Sequence, residues 1–149
     1  MTLQPGQLIA RGVCRWFLGE GFAPVTEFAP ARGLRADVTA LARDGEIWVV
    51  ECKSSRADFL SDAKWSGYLD WCDRFFFAGP PELAELFPDE HGLIAADGYG
   101  AEVLRPSPLS KLPAARRKSQ TQRLARVAAL RLQTLTDPGA SAFASDREE

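Results

Sequence analysis

Apolar and polar positions along the chain repeat with two periods, and the switches between them mark out its elements. In QLIARGVCRWFL, residues 7 to 18, Ile9, Val13, Trp16 and Phe17 recur at helical spacing, and Gly19 and Gly21 supply a stop. Pro24 to Phe28 reads as a short extended or edge segment. RADVTALA, residues 35 to 42, changes to a period of two: Ala36, Val38, Ala40 and Ala42 alternate with Arg35, Asp37 and Thr39, as in a half-buried strand. Asp44-Gly45 is a hairpin signal, and residues 46 to 53, EIWVVECK, form the next strand. Ser61 can cap a helix from Asp62 to about Trp71, with Trp65, Leu69 and Cys72 on its apolar side. DRFFFAGP, residues 73 to 80, is a further strand ended by Pro80 and Pro81. A short helix over 82 to 87 and two small strands, GLIAAD and AEVLR, complete a body spanning residues 1 to 105.

The rest of the chain has a different texture. SPLSKLPAARRKSQ is a proline-containing linker or docking stretch, and after it Leu124, Ala128, Leu132 and Leu135 recur at helical spacing. Residues 106 to 136 therefore read as a linker and a helix. The tail over 137 to 149 is small and polar and is expected to be disordered.

Charge sharpens this division. The formal net charge is −2, yet Val103 to Thr136 holds eight basic residues and no acidic one, leaving ten basic and twenty acidic residues elsewhere. A basic arm on an acidic body suits a polyanion, or else a helix whose charges answer the body within the chain. Cys14, Cys52, Cys72 and the single histidine, His91, have neither zinc spacing nor a disulfide framework, so the thiols read as small buried hydrophobes. A Cys–His or Ser–His–Asp enzyme is poorly supported. The N-terminus lacks a charged region followed by a long apolar one, and no apolar run approaches a membrane span; a cytoplasmic protein is expected.

The chemistry collects where the apolar run ends. In IWVVECK, Glu51 and Lys53 lie two residues apart and so face the same way as Ile47 and Val49. A two-residue turn at Asp44-Gly45 would set Asp37 opposite Cys52. A three-residue turn, Arg43-Asp44-Gly45, would set it opposite Glu51, with Gly45 left-handed. The sequence permits both registers, and the second makes a site. Two converging carboxylates repel unless something positive lies between them. A hard cation such as Mg²⁺ needs only one or two protein carboxylates. It lowers the pKa of a bound water and polarises a phosphate, while Lys53 can orient or deprotonate the water or stabilise developing charge. The alternative is a surface salt bridge of Glu51 with Lys53 or Arg35, worth about 0–1 kcal/mol.

An acid on one strand and E-x-K on the next, within an αβββαβ order, resembles the PD-(D/E)XK nuclease superfamily. Asp37, Glu51 and Lys53 match its signature with the spacing D-x(13)-E-x-K over residues 7 to 79. RADVTAL and VVECKSSRADFLSDAKWSGYLDWCDRFFFAGP together look like the MmcB family of bacterial DNA repair proteins, a match covering about residues 24 to 104. The resemblance implies a restriction-endonuclease-like core with a mixed central sheet flanked by helices, the basic C-terminal helix being additional. It implies Mg²⁺ or Mn²⁺ held by Asp37, Glu51 and the Cys52 backbone carbonyl, with Glu27 where some members carry an additional acid. Lys64 and Tyr68 occupy the spacing of a glutamine and a tyrosine in RecB-like members, with lysine replacing the glutamine. Ser54, Arg35 and, from the basic helix, Arg116, Arg117 and Arg123 complete the implied DNA-facing set. Trp16, Trp48, Trp65 and Trp71 are weighed as core rather than base-stacking residues. Asp58 and Asp62 either flank the metal or complement a helix dipole.

The expected function is metal-dependent hydrolysis of DNA in repair. The alternatives are a non-cleaving accessory that binds DNA or other repair proteins, and a basic helix that docks protein.

Overall fold

The computed structural model describes residues 2–144. Helix α1, Pro5–Gly19, starts where Gln4 and Gln7 cap each other reciprocally and Pro5 supplies a preset backbone angle. Its inner face carries Ile9, Gly12, Val13 and Phe17, at the spacing the sequence predicts, and Gly21 turns the chain with φ +82°. Six strands follow: β1 Ala23–Phe28, β2 Ala36–Leu41, β3 Ile47–Cys52, β4 Arg74–Gly79, β5 Gly92–Ala96 and β6 Ala101–Arg105. They form one mixed sheet in chain order. β1, β2 and β3 are antiparallel neighbours; β3–β4 and β4–β5 are parallel, and β5–β6 is antiparallel.

Alternation along the strands divides the core in two. Val38, Ala40, Val50, Phe76 and Ile94 pack with Ile9, Val13 and Phe17 of α1. Ile47, Val49, Phe75, Phe77 and Leu93 pack on the other side with Tyr68, Cys72, Phe87, Leu112 and Leu124. Strands covered on both faces explain the continuous apolar run of IWVV and FFFA. Trp48 stacks on Phe76 and Trp65 on Phe75, so these tryptophans belong to the core.

Three expectations are corrected. The helix expected from Asp62 to Trp71 is instead a short α2, Arg56–Leu60, followed by a 3₁₀ segment, Trp65–Trp71. Ser55, not Ser61, is the N-cap: its hydroxyl accepts the Asp58 N–H, while Ser61 ends the helix. Asp62 breaks the continuity because its Oδ1 accepts the N–H groups of Lys64 and Trp65 at 2.7 and 3.1 Å, and Ser66-Gly67 is poor α-helix material. The short helix expected over 82 to 87 is likewise 3₁₀, Pro81–Leu86.

Helix α3, Ala114–Thr136, forms within the stretch read as linker and helix, and the second correction concerns only its apolar stripe. Gln120 and Leu124 are buried and Val127 packs beside them, but Leu132 is 56% and Leu135 80% exposed. At 23 residues the helix is about 35 Å long, and its final turns overhang the body. Thirdly, the tail expected to be disordered forms a 3₁₀ segment, Pro138–Phe143, where Ala140 N–H bonds the Asp137 carbonyl. The rest of that tail, residues 145–149, lies outside the described residues.

What joins α3 to the sheet is Asp73, whose side chain is inaccessible to solvent. Its carboxylate accepts the Ile47 N–H (2.7 Å), the Leu112 N–H (2.9 Å) and both ends of the Arg117 guanidinium (2.7 and 2.5 Å). The Ser110 N–H donates to the Asp73 carbonyl, and Ser107 Oγ accepts the Phe75 N–H. The proline-containing stretch is thus a docked strap. No helix among the described residues is long and apolar enough to cross a membrane.

Candidate functional site

The β2–β3 turn has three residues. Ala42 N–H bonds the Glu46 carbonyl, Gly45 N–H bonds the Ala42 carbonyl, and Gly45 has φ +94°, the left-handed position such a turn requires. The register runs from Leu41↔Ile47 to Val38↔Val50, which sets Asp37 opposite Glu51. Backbone pairing stops there and side chains take over. Cys52 N–H donates to Asp37 Oδ2 at 2.7 Å, and Asp37 N–H donates to Glu51 Oε1 at 3.1 Å. Each carboxylate thereby commits one oxygen to the opposite strand, leaving Asp37 Oδ1 and Glu51 Oε2 uncommitted to the backbone.

Glu51 and Lys53 are 4% and 6% exposed. Lys53 extends β3 along β4, its N–H on the Ala78 carbonyl, and its ammonium lies 2.6 Å from Asp62 Oδ2 and 3.9 Å from Glu51 Oε2. Burial is the main influence on both acids. It raises Asp37, against the pull of the Cys52 N–H and the Lys53 charge, and together with the Asp37 charge it pushes Glu51 up to about 8. For Lys53, burial lowers the pKa, but the Asp62 hydrogen bond and the surrounding carboxylates outweigh it and leave the amine raised. Asp62 is held below its ordinary value, the Lys53 bond and two backbone N–H groups overcoming its own partial burial. The site is therefore two carboxyls short of positive charge beside one firmly protonated lysine.

The remaining predicted residues are distributed unevenly around this centre. Tyr68 is buried and its hydroxyl donates to the Arg35 carbonyl at 2.7 Å and accepts the Arg35 N–H; burial and the Glu51 charge push its pKa up to about 12. It braces the start of β2, and Arg35 meets it through backbone. Lys64 is exposed just before the 3₁₀ segment, so the i, i+4 pairing expected with Tyr68 on an α-helix does not form. Ser54 donates its N–H to Asp58 Oδ2 at 3.1 Å, which makes Asp58 a local cap rather than a fourth acid of the site. Glu27 is opposite Asp37 across β1–β2 and lines a cleft with it, yet among the described residues no three acidic, histidine or cysteine side chains gather closely enough to hold one ion.

The basic helix also differs from expectation. Arg117 is locked on Asp73, Arg116 donates to the Asp70 carbonyl and lies over Trp71, and Arg123 donates to the Ala29 carbonyl. These three arginines fasten α3 to the body, and Arg123 remains exposed there. A further cation comes from α1. Arg11 lines a cleft of about 430 Å³ with Gln7, Cys14, Thr26, Glu27 and Asp37. Its Nε donates to the Gly98 carbonyl at 2.7 Å, and its guanidinium lies over the ring of Tyr99, which is 77% exposed. The helical pattern of residues 7 to 18 puts Gln7, Arg11 and Cys14 on one side, but nothing local links that side to β2.

Comparison with known proteins now adds to the geometry. The profile described as MmcB-like, DNA repair protein MmcB-like, matches residues 4–139, nearly the whole described chain. The chain belongs to the MmcB-like family. A solved structure, the SPO1766 protein of unknown function from Silicibacter pomeroyi, is similar to this MmcB-like chain at 56% identity. It covers 99% of this chain and 100% of its own, with a TM-score of 0.92. No curated protein matches. In this MmcB-like chain the match extends past the strap into α3, the segment that Asp73 and Arg117 tie to the sheet.

Proposed function

We propose that this MmcB-like protein acts on DNA during repair as a metal-dependent phosphodiesterase of the PD-(D/E)XK type with a restriction-endonuclease-like core. The observation that carries the reading is the opposition of Asp37 and Glu51 at the point where β2 and β3 stop pairing. Both carboxyls are raised in proton affinity and Lys53 stands beside them. Carboxylates that are desolvated together and only partly answered by Lys53 fit a divalent cation, Mg²⁺ or Mn²⁺. Asp37, Glu51 and the Cys52 backbone carbonyl would hold it, and when bound it supplies a more acidic water and a polarised phosphate.

The chain's own residues do the remainder. Asp37 and Glu51 fix the approach to phosphorus while their backbone hydrogen bonds keep them from turning away. Lys53, kept as ammonium by Asp62, donates to a non-bridging phosphate oxygen and stabilises the charge that builds there, a role its raised pKa favours over that of a base. The oxygen of water bonds to phosphorus, the P–O bond to the sugar breaks, and the water proton ends on the leaving oxygen. Arg11 and Gln7 on the cleft wall would position the strand.

One observation favours a second reading, binding without cleavage: the Lys53 ammonium is 2.6 Å from Asp62 but 3.9 Å from Glu51, so its strongest bond points away from the acids. A single experiment separates the two. Labelled single-stranded, duplex, flap and mismatched DNA are incubated with Mg²⁺ or Mn²⁺ and wild type, Asp37→Asn or Lys53→Ala. Cutting by wild type alone supports hydrolysis. Binding by all three without cutting establishes the accessory reading, and equal cutting by all three removes the site.

A further inference from the structure

Glu27 is the only non-glycine residue among those described with a left-handed backbone, φ +51°. A side chain with a Cβ gains nothing from that conformation in a strand, so neighbouring structure must impose it. The residue sits at a gap in the sheet: Thr26↔Val38 and Phe28↔Ala36 pair, while Glu27 and Asp37 between them do not. Helix α3 passes this gap. Arg131 donates through Nη1 to the Thr26 carbonyl and through Nη2 to the Glu27 carbonyl at 2.9 Å. Two turns earlier, Arg123 donates to the Ala29 carbonyl at 2.9 Å. A planar guanidinium bridging successive carbonyls fixes the peptide between them, which a lysine ammonium cannot do as rigidly.

We propose that Arg131 is a positioning residue for the site: its grip on the Thr26 and Glu27 carbonyls holds Glu27 left-handed and keeps the Glu27 carboxylate on the cleft it shares with Asp37. The inference rests on the cation reading of Asp37 and Glu51. Glu27 is not gathered into a common coordination set with those two, so it acts one water further out, accepting a hydrogen bond from water retained by the ion. The helix that carries six of the chain's eighteen basic residues thus completes the acidic side of the site.

Direction of effect distinguishes positioning from charge. Removing a nearby guanidinium, considered as charge alone, strengthens binding of a cation, because it removes repulsion. Loss of a positioning contact weakens it. The test is calorimetric titration of the full chain with Mn²⁺, without DNA, for wild type, Asp37→Asn, Glu27→Gln, Arg131→Gln, Arg131→Lys and the Glu27→Gln/Arg131→Gln double variant. Thermal melting of each confirms folding. Asp37→Asn should abolish binding, and Glu27→Gln and Arg131→Gln should each weaken it about tenfold, as for other outer-sphere partners. Arg131→Lys should resemble Arg131→Gln, and the double variant should bind no more weakly than Glu27→Gln alone. Arg131→Gln binding Mn²⁺ as tightly as wild type, or more tightly, overturns the proposal while leaving the cation site intact. So does a double variant in which the two losses multiply. A wild type that ignores Mn²⁺, or binds it equally after Asp37→Asn, overturns the cation reading and this proposal together.

Discussion

Glu51→Gln should make the metal-free protein more stable, increasingly so as pH rises from about 4 to about 8. Glutamine has the shape of glutamic acid, keeps an oxygen for the Asp37 N–H, and cannot ionise in a site that is 4% exposed. The wild-type carboxyl is pushed up to about 8 in the fold by burial and the Asp37 charge, while an unfolded chain ionises it near the ordinary carboxylate value of about 4.3. An acid whose folded pKa lies above its unfolded one supports folding fully below the unfolded value. That support disappears as pH rises toward the folded value, because the unfolded chain gives up its proton first. Each tenfold difference in proton affinity is worth about 1.4 kcal/mol, so the gap bounds the loss at roughly 5 kcal/mol. Relaxation around the ionised group reduces it to about 3 kcal/mol. Urea unfolding with a chelator at pH 5, 7 and 8.5 reads the effect. The two proteins should differ by at most about 1 kcal/mol at pH 5 and separate by about 3 kcal/mol at pH 8.5, with the smaller pH slope in the variant. A variant no more stable than wild type at pH 8.5 would refute the claim that Glu51 is held short of positive charge.

Asp73→Asn should cost about 3–5 kcal/mol by leaving Arg117 without its buried partner, measured as a lower denaturation midpoint. The same carboxylate is held below its ordinary pKa, its hydrogen bonds to Arg117, Ile47 and Leu112 outweighing its burial; its contribution is therefore present above about pH 4 and lost as pH falls through the folded value, visible as an acid-side decline that the variant lacks. Gly12→Ala should destabilise by about 1–3 kcal/mol in thermal melts, because its Cβ would lie 1.8 Å from the Asp97 carbonyl oxygen and α1 would have to lift. Arg11→Gln should weaken DNA binding and reduce the slope of log affinity against log salt by about one; an unchanged slope would remove Arg11 from the DNA path.

The strands are legible in sequence because their causes are local. RADVTALA and EIWVVECK alternate or run apolar as a covered sheet demands, and Gly45 offers the left-handed residue of a three-residue turn. Sequence alone leaves the two-residue turn equally open; the choice comes from the packing of Val38 and Val50 under α1. The helix after β3 is misplaced for the opposite reason. Sequence points to Ser61 as the cap, whereas the structure caps the helix with Ser55 and draws Asp62 to Lys53. The contacts of the α3 arginines are hidden from sequence in the same way. Composition reveals their charge, but not that Arg117 meets a carboxylate 44 residues away or Arg123 a carbonyl 94 residues away. Asp73 reads as an ordinary strand entry until the strap and α3 close over it.

The succession of strands carries a consequence for assembly. Because every strand lies beside its neighbour in sequence, the sheet can be built in the order in which the chain leaves the ribosome, and Asp37 faces Glu51 once residue 52 or so is free to pair. The segment around Glu27 must wait for Arg131, more than a hundred residues later. A nascent or truncated chain lacking α3 would therefore own the paired acids without their final arrangement, and any activity of the site would wait until α3 has been made.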